Sequence, residues 1–279
     1  MAIVDLLLNL IGLVLLLAWR TAGKPVAVRG AGTLLSNLKP AESRPTKRWG
    51  YLLALGGVLL ARPLIYSVAA AGLTWTPMIG LGSAALAFRA DDPNRLLLHS
   101  LLSFGWAWLI AMSWATVLVA LTALEREPEG WSKVLREFLG GLGRLPVGLQ
   151  LVCPFLLGAL AWALLTVPLA NLGILPRVPA GPELAAQAVV VGASIWLSLK
   201  WLLSGVLLLR LINTYIYLGN APFWDFIHRV GGTLIRPLGW LPVRFGKLDF
   251  TPLIAAAVVW AVWWGLEIGL ARAFSSLNL

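Results

Sequence analysis

Residues 222–254 read PFWDFIHRVGGTLIRPLGWLPVRFGKLDFTPLI, and this stretch separates the last two long apolar runs of the chain. Apolar residues recur in it at helical spacing: Phe223, Phe226, Ile227, Val230 and Leu234. That spacing predicts a short amphipathic helix lying in a membrane interface. The pair Gly231–Gly232 is expected to loosen this helix, and Pro237 and Pro242 to end it. An irregular turn then leads residues 248–250 into the last apolar run.

The composition of the chain is that of a membrane protein. Hydrophobic residues make up 59% of the 279 residues and charged residues 12%, whereas soluble domains average about 45–50% and about 25%. The apolar runs reach the ~20 residues that cross a bilayer, and helices satisfy every backbone hydrogen bond inside lipid. Six spans are predicted, at residues 3–19, 50–71, 96–124, 147–168, 184–211 and 250–274. The predicted fold class is therefore an all-α membrane protein.

Basic residues alternate between the predicted loops. They concentrate in the first, third and fifth loops, whereas the even-numbered loops hold only Arg89, Arg95 and Arg177. By the positive-inside rule, this places the odd-numbered loops in the cytoplasm and both termini outside it. The net charge of +10 is thus interpreted as topogenic, with a secondary role in binding anionic lipid headgroups. Nucleic acid is not expected as a partner. The first span carries Asp5 and has no basic residue before it, so we expect a retained span rather than a signal peptide.

A repeated layout divides the chain into three helical hairpins. Residues 131–146, WSKVLREFLGGLGRLP, resemble residues 222–242 because each has an amphipathic segment, a glycine pair and a later proline before a span. We predict one membrane domain, 1–279, built from hairpins at 1–72, 96–175 and 184–275, each with a cytoplasmic interfacial element. The connection at 72–95 is apolar but interrupted by Pro77 and glycines. It is expected to lie along the outer interface or to dip into the membrane.

The end of the quoted stretch resembles a known family signature. The residues that carry the likeness are Arg236–Pro237, Leu241–Pro242 and the run from Gly246 through Lys247, Leu248, Asp249, Phe250, Thr251 and Pro252 to Leu253. They resemble the YggT/Ycf19/YlmG family, in which an RP…P…GGxDFSP stretch precedes a span. The likeness extends over residues 200–275, including the helix end LLLRLI with Arg210. Lys247 and Thr251 replace the family's second glycine and its serine, and typical members have two hairpins.

This resemblance implies a non-enzymatic protein of the bacterial cytoplasmic membrane, or of a derived intracytoplasmic or thylakoid-type membrane. Relatives are associated with membrane organisation and division, with osmotic or potassium tolerance, and with maturation of membrane-bound cytochromes. The motif residues carried over as a structural motif or lipid anchor are Arg210, Arg236, Pro237, Pro242, Gly246, Asp249, Phe250 and Pro252.

The motif also has a physical interpretation. Asp249 lies just before the last span, where a carboxylate caps free backbone amides and opposes the helix dipole. Pro252 falls in the first turn, where a missing amide hydrogen costs little. Arg236 is expected to pair with Asp249 or to bind a lipid phosphate.

Three ionisable residues lie deep in the predicted spans: Arg62, Lys200 and Glu267. By the helical rise, Arg62 is about 21 Å from Arg48 and Glu267 about 27 Å from Asp249, so these two are expected to lie within reach of each other. Lys200 lies lower, about 15 Å from Arg210, and is expected to snorkel or to contact another subunit. Charges in lipid mark functional sites by default. A structural ion pair and an ion pathway are both kept as interpretations.

Other candidate sites are weaker. His99, near the outer end of the third span and among tryptophans, is a candidate ligand for a pigment or a heme on one side, although an interfacial histidine explains it more simply. Cys153 is the one cysteine, which excludes an internal disulfide. The fifteen tryptophans suit interface anchoring or docking against partner helices, and glycines at 56–57, 192 and 265–269 are expected to permit close helix approach. We predict no metal and no enzymatic activity, and leave open a bound pigment, heme or lipid.

Together these patterns favour a scaffold, an assembly factor or an accessory subunit of a larger membrane complex. Its expected partners are membrane lipids and either other integral membrane proteins or further copies of itself. The alternative is a channel or transporter for an ion or a small solute, related to osmotic or potassium balance. An enzyme that acts on lipids ranks third.

Overall fold

The computed structural model of the chain describes residues 2–22, 48–72, 76–82, 85–89, 92–122, 131–175, 181–216, 219, 221–239, 244–245 and 248–275. The helices are α1 Ala2–Thr21, α2 Arg48–Gly72, α3 Pro93–Thr122, α4 Trp131–Leu139, α5 Val147–Asn171, α6 Pro182–Leu197, α7 Leu199–Tyr215, α8 Pro222–Ile235 and α9 Thr251–Ser275. The strands are β1 Met78–Gly80, β2 Ala85–Ala87, β3 Arg244–Phe245 and β4 Leu248–Asp249. Short 3-10 turns follow α4 at Gly140–Arg144 and α8 at Arg236–Leu238.

Six helical stretches within these ranges are long and apolar enough to span a membrane, with α6 and α7 together forming one of them. This confirms the predicted number and approximate positions of the spans, and with them a mostly helical, multi-pass membrane protein. The first two spans run antiparallel: Asp5, near the start of α1, lies beside Arg62 of α2, and Trp19, near the end of α1, lies beside Arg48 at the start of α2. We call the end of the bundle that carries α4 and α8 the α4–α8 end, and the opposite one the β-hairpin end.

The amphipathic helix predicted at the start of the quoted stretch is α8, which buries Phe226, Ile227 and Val230. Its apolar face packs on α7 and α3, and its first turn meets α4, where the rings of Trp131 and Phe223 lie edge to face with centroids 5.7 Å apart. The two amphipathic helices therefore form one unit, the α4–α8 unit. Its location at a membrane surface stays a prediction.

The fifth span differs from a regular helix at Ser198. The amide of Ser198 bonds the carbonyl of Ile195, and the amide of Trp201 bonds the carbonyl of Ser198, so the helix tightens to a three-residue repeat where α6 gives way to α7. The Ser198 hydroxyl donates to the same Ile195 carbonyl at 2.7 Å, and a serine that bonds backwards in this way bends a helix. The Trp114 indole donates to the Ser198 hydroxyl at 3.0 Å, which holds the break against α3.

The connection at 72–95 contains a small antiparallel hairpin of β1 and β2, with Ile79 opposite Leu86. Both side chains are buried in a cluster with residues of α5 and α6. Gly82 follows β1 with a φ of +77°, and a Cβ there would lie 2.5 Å from the Cβ of Ser194. Only glycine permits this approach, so the hairpin is seated tightly on α6. Strands of three residues are too short to be recognised from alternation alone.

The spans approach most closely between α5 and α6. A Cβ added to Gly192 would lie 2.7 Å from the carbonyl oxygen of Phe155, and one added to Gly158 would lie 2.4 Å from Ile195 Cδ1. The expectation of close approach at Gly192 is thus confirmed. At glycines 56, 57, 265 and 269, an added Cβ would meet nothing within 4 Å in the described structure, so close approach of a partner helix at these four positions stays a prediction. The contact also joins the predicted second and third hairpins to each other.

Candidate functional site: a cavity with two ion pairs

A cavity of about 880 Å³ lies between α1, β1, α3, α6, α7 and α9. Tryptophan and aliphatic side chains form most of its wall. Its polar side chains are Asp5, Asn9, Ser103, Ser194, Ser198, Lys200 and Glu267. Two of the charges predicted from the sequence therefore face a shared space, and the third, Arg62, lies directly behind Asp5.

Arg62 is the centre of a buried polar cluster, with 1% of its side chain exposed. One terminal nitrogen, Nη2, lies 3.3 Å from Asp5 Oδ1 and donates to the Asp5 carbonyl at 2.9 Å and to Asn9 Oδ1 at 3.0 Å. The other, Nη1, donates to the Ser100 carbonyl at 3.3 Å. The Tyr66 hydroxyl donates to Asp5 Oδ1. The guanidinium thus joins α1, α2 and α3 through groups that satisfy its charge.

The expectation that Arg62 would lie near Glu267 is wrong, since its carboxylate partner is Asp5. A depth comparison could have found this pair. Asp5 lies about 22 Å from Arg20 along α1, and Arg62 lies about 21 Å from Arg48 along α2. Adjacent antiparallel spans place those two depths side by side.

Lys200 pairs with Glu267 across α7 and α9, which corrects the expectation that Lys200 snorkels or meets another subunit. Its ammonium also lies 5.5 Å from the ring centre of Trp201 and 5.3 Å from that of Trp260. Cation–π contacts of this kind strengthen when water is excluded. Lys200 is 15% exposed and Glu267 35% exposed, so the carboxylate is the more accessible partner.

Pro63 leaves the carbonyl of Leu59 without its helical amide, because proline has no N–H to donate four residues back. The Ser100 hydroxyl donates to that carbonyl at 2.8 Å, while the Ser100 carbonyl accepts from Arg62. A single serine on α3 therefore satisfies the backbone defect of α2 and helps to hold the buried guanidinium. Such repair by a neighbouring helix is what makes proline tolerable inside a membrane span.

We expect the Ser100→Ala variant to lose about 1–3 kcal/mol of unfolding free energy, because the Leu59 carbonyl is left unsatisfied in a buried site. Pro63→Ala restores an amide to that carbonyl, so the same Ser100 substitution should cost less in the Pro63→Ala background. Equilibrium unfolding of the four proteins in mixed micelles measures this coupling. Ser67→Ala, on an exposed part of α2, is the control. Equal costs of Ser100→Ala in both backgrounds would show that the hydroxyl does not replace the missing amide.

His99 is fully buried between the rings of Tyr66 and Phe88, whose centroids lie 5.7 Å and 5.2 Å from its own. The Met78 backbone is near the ring, but neither ring nitrogen has a partner in hydrogen-bond geometry among the residues that the structure describes. His99 lines neither this cavity nor an apolar one of about 360 Å³ between α3 and α5. A porphyrin or chlorin would have to displace Phe88 to reach it, and pigment or heme binding stays a prediction. No group of three or more potential metal ligands occurs among the described residues.

Two arginines fasten the α4–α8 unit to the spans. Arg20, at the end of α1, donates to the Phe138 carbonyl in the last turn of α4. Arg210, near the end of α7, donates to the His228 carbonyl in α8. Exposed helix carbonyls carry partial negative charge, so an arginine is a suitable partner in both places. The two amphipathic helices are thus held by equivalent contacts, although the arginine of α4 comes from the first span.

The pair Gly231–Gly232 was expected to loosen α8, but the helix continues through it to Ile235. A Cβ on Gly231 would lie 2.6 Å from Arg210 Cδ, and one on Gly232 would lie 2.7 Å from Arg210 Nη1. The glycines therefore leave room for the arginine side chain that crosses them. Packing, which the sequence pattern does not show, overrides the helix propensity here.

The C-terminal motif is described in part. Arg236 and Pro237 are exposed in the 3-10 turn that ends α8. The strands β3 and β4 pair with Arg244 opposite Asp249. The Phe250 carbonyl accepts the amides of Leu253 and Ile254, and Pro252 lies in the first turn of α9, as expected. Pro242 and Gly246 lie outside the described residues, as does the side chain of Asp249, so the capping and pairing roles stay predictions.

The polar contacts along the cavity wall lie at two depths. Met78 to Gly80 and Gly82 line the cavity at the β-hairpin end. The Asp5–Arg62 pair is near Ser103 of α3, and Lys200 is near Trp114 of the same helix, so the charges lie at different depths.

No family model, curated protein or solved structure matches this chain, so the resemblance to the YggT/Ycf19/YlmG family stays a prediction that depends on the motif alone.

Proposed function

We propose that this protein is a non-enzymatic scaffold, assembly factor or accessory subunit of a larger membrane complex. The observation that carries the proposal is the α4–α8 unit, in which amphipathic helices from two separate parts of the chain pack together and are fastened by Arg20 and Arg210. Such a unit presents a preformed surface, so little ordering entropy is lost when a partner binds.

The outward face of this unit is polar and charged. Its exposed residues include Lys133, Asp225, His228 and Arg229. The alternation of basic residues predicts a cytoplasmic location for this face, where anionic lipid headgroups attract Lys and Arg. Mixed charge on a rigid surface suits recognition of a protein partner, because complementary charges set orientation and exclude wrong partners.

Native electrophoresis of membranes extracted in a mild detergent tests the proposal. We expect the wild-type chain to migrate in a larger assembly with a partner in fixed stoichiometry. The Lys133→Glu/Arg229→Glu variant should leave that assembly while keeping its unfolding temperature. Arg272→Glu, an exposed change on α9, is the matched control and should stay assembled. Migration of the wild type as a single chain, or an unchanged assembly of the double variant, contradicts the proposal.

A pathway for an ion or a small solute is the second candidate, and the cavity favours it. Two ion pairs at different depths of one cavity resemble the polar groups that line transport routes. The break at Ser198 lies in the cavity wall, and interrupted helices are common at transporter binding sites.

Flux into proteoliposomes tests this second candidate. A pathway predicts uptake by the wild type that the Lys200→Met/Glu267→Met double variant removes, because that change replaces both charges without leaving one unpaired. Flux that is absent, or equal in the two proteins, eliminates the candidate. Neither result bears on the assembly experiment, so the two functions are distinguished.

A further inference from the structure

The formal charges at the cavity sum to zero. Asp5 is paired with Arg62, and Glu267 is paired with Lys200. A bound ion would add net charge inside a membrane-spanning bundle, which is costly when the charge has no counterion. A ligand that carries one positive and one negative group adds none. We propose that the cavity is a binding site for a net-neutral zwitterion with an apolar body.

The carboxylates offer the place for the positive group. Asp5 Oδ1 accepts from Tyr66 and lies beside Arg62, and Glu267 Oε1 accepts from Lys200. These contacts all fall on one oxygen of each carboxylate, Asp5 Oδ1 and Glu267 Oε1, and both side chains line the cavity. A carboxylate that lines a cavity accepts strong, charge-assisted bonds from an ammonium group.

The negative group of the ligand has a matching partner in Lys200. An ammonium has three hydrogens, and one of them is directed to Glu267 Oε1. The ammonium also lies beside the rings of Trp201 and Trp260, and Lys200 lines the cavity, where a carboxylate or a phosphate would meet its positive charge. Lys200 and Glu267 therefore present a donor and an acceptor side by side, the complement of a ligand whose acidic and ammonium groups are neighbours.

The rest of the cavity selects an apolar body. Leu10, Leu13, Trp106, Ile110 and Trp114 are among the residues that line it. Its volume of about 880 Å³ falls in the usual range of about 300–1,000 Å³ for small-molecule pockets. A ligand held only by its charges would leave these walls facing water. Burying an apolar group against them adds to the binding free energy.

The route into the cavity determines the source of the ligand. In the described structure, α1 packs on α2, α3 and α4, and α9 packs on α6, α7 and α8. Both α1 and α9 line the cavity, and Leu6, Leu10 and Ala271 on these walls are exposed. The ligand has two possible sources, an amphiphile that enters from the bilayer between α1 and α9 and a free zwitterion that enters from water. Both present the same chemistry to the cavity.

Binding to the purified full-length chain in detergent tests the inference with indole probes that share one body. L-tryptophan carries both charges, tryptamine the ammonium alone, and indole-3-propionate the carboxylate alone. Lysophosphatidylethanolamine, against anionic lysophosphatidylglycerol, tests the lipid source. By titration calorimetry we expect L-tryptophan, lysophosphatidylethanolamine or both to bind, and the singly charged probes to bind at least about tenfold more weakly, the loss expected for one charge-assisted hydrogen bond.

Ala271→Trp supplies the matched variant, because it adds bulk to an exposed position that lines the cavity, and Ala257→Trp makes the same change at an exposed position of α9 that does not. We expect the first to abolish zwitterion binding and the second to leave it unchanged. Glu267→Gln should weaken binding about tenfold. The inference is overturned if neither zwitterion binds, if tryptamine binds as tightly as L-tryptophan, or if Ala271→Trp binds like the wild type. The site requires binding only, so it stands whether or not the chain forms an assembly or transports solute.

Discussion

Replacing Arg62 with methionine should lower the unfolding free energy by about 3–5 kcal/mol, the cost of removing one partner from a buried ion pair. The guanidinium is 1% exposed and contacts groups on α1 and α3. Methionine fills similar volume but cannot donate. The Asp5 carboxylate, its backbone carbonyl and the Asn9 amide oxygen all lose their charged donor. Equilibrium unfolding in mixed micelles measures the loss.

Arg272→Met is the control for this substitution, since Arg272 is exposed in the last turn of α9. It should change the unfolding free energy by less than about 0.5 kcal/mol, as is usual at exposed positions. Adding Asp5→Asn to Arg62→Met should recover part of the lost stability, because it removes the carboxylate left without a partner. An Arg62→Met protein as stable as the Arg272→Met protein would show that the cluster does not hold the three helices together.

Gly192→Ala should destabilise the chain by about 2–3 kcal/mol, an overpacking cost that is large for one methyl group. The added Cβ would lie 2.7 Å from the Phe155 carbonyl oxygen and 3.2 Å from the Ala159 Cβ. A backbone oxygen cannot rotate away as a side chain can, so α5 and α6 must separate. Membrane helices depend on such close approach, because lipid provides no hydrophobic force that drives them together.

Gly205→Ala makes the identical change in the interior of α7, where an added Cβ meets nothing within 4 Å. Its stability should stay the same or rise slightly, because alanine favours helix more than glycine does. Thermal unfolding of the two variants beside the wild type gives the comparison. If Gly192→Ala unfolds at the wild-type temperature, the α5–α6 contact is looser than described here.

The spans were predictable because their signal is local. A run of apolar residues long enough to cross a bilayer can be recognised from its own sequence, without knowing which helices lie next to it. The amphipathic face of α8 was predictable for the same reason, since Phe226, Ile227 and Val230 repeat at helical spacing. The presence of deep charges was equally visible. Arg62, Lys200 and Glu267 stand out in any apolar run.

The partners of those charges were not predictable in the same way, because they depend on which helices are neighbours. Asp5 and Arg62 are 57 residues apart, and Lys200 and Glu267 are 67 apart. The cavity itself has no sequence signal, since it is the space that several helices leave between them. The break at Ser198 contains neither proline nor glycine, so the residue types there do not predict it. These features follow from tertiary packing alone.

The contact between Arg20 and the Phe138 carbonyl joins positions 118 residues apart, and this has a consequence for how the chain is made. At about 5–20 residues per second, a ribosome needs about 6–24 s to add α4 after α1 has emerged. Asp5 meets Arg62 after roughly half that time, so α1 and α2 can join first. The partner of Arg20 in α4 is synthesised only after the third span. Biogenesis would therefore proceed in order, with the first helix held at one end early and secured at the other only after half of the protein has been synthesised.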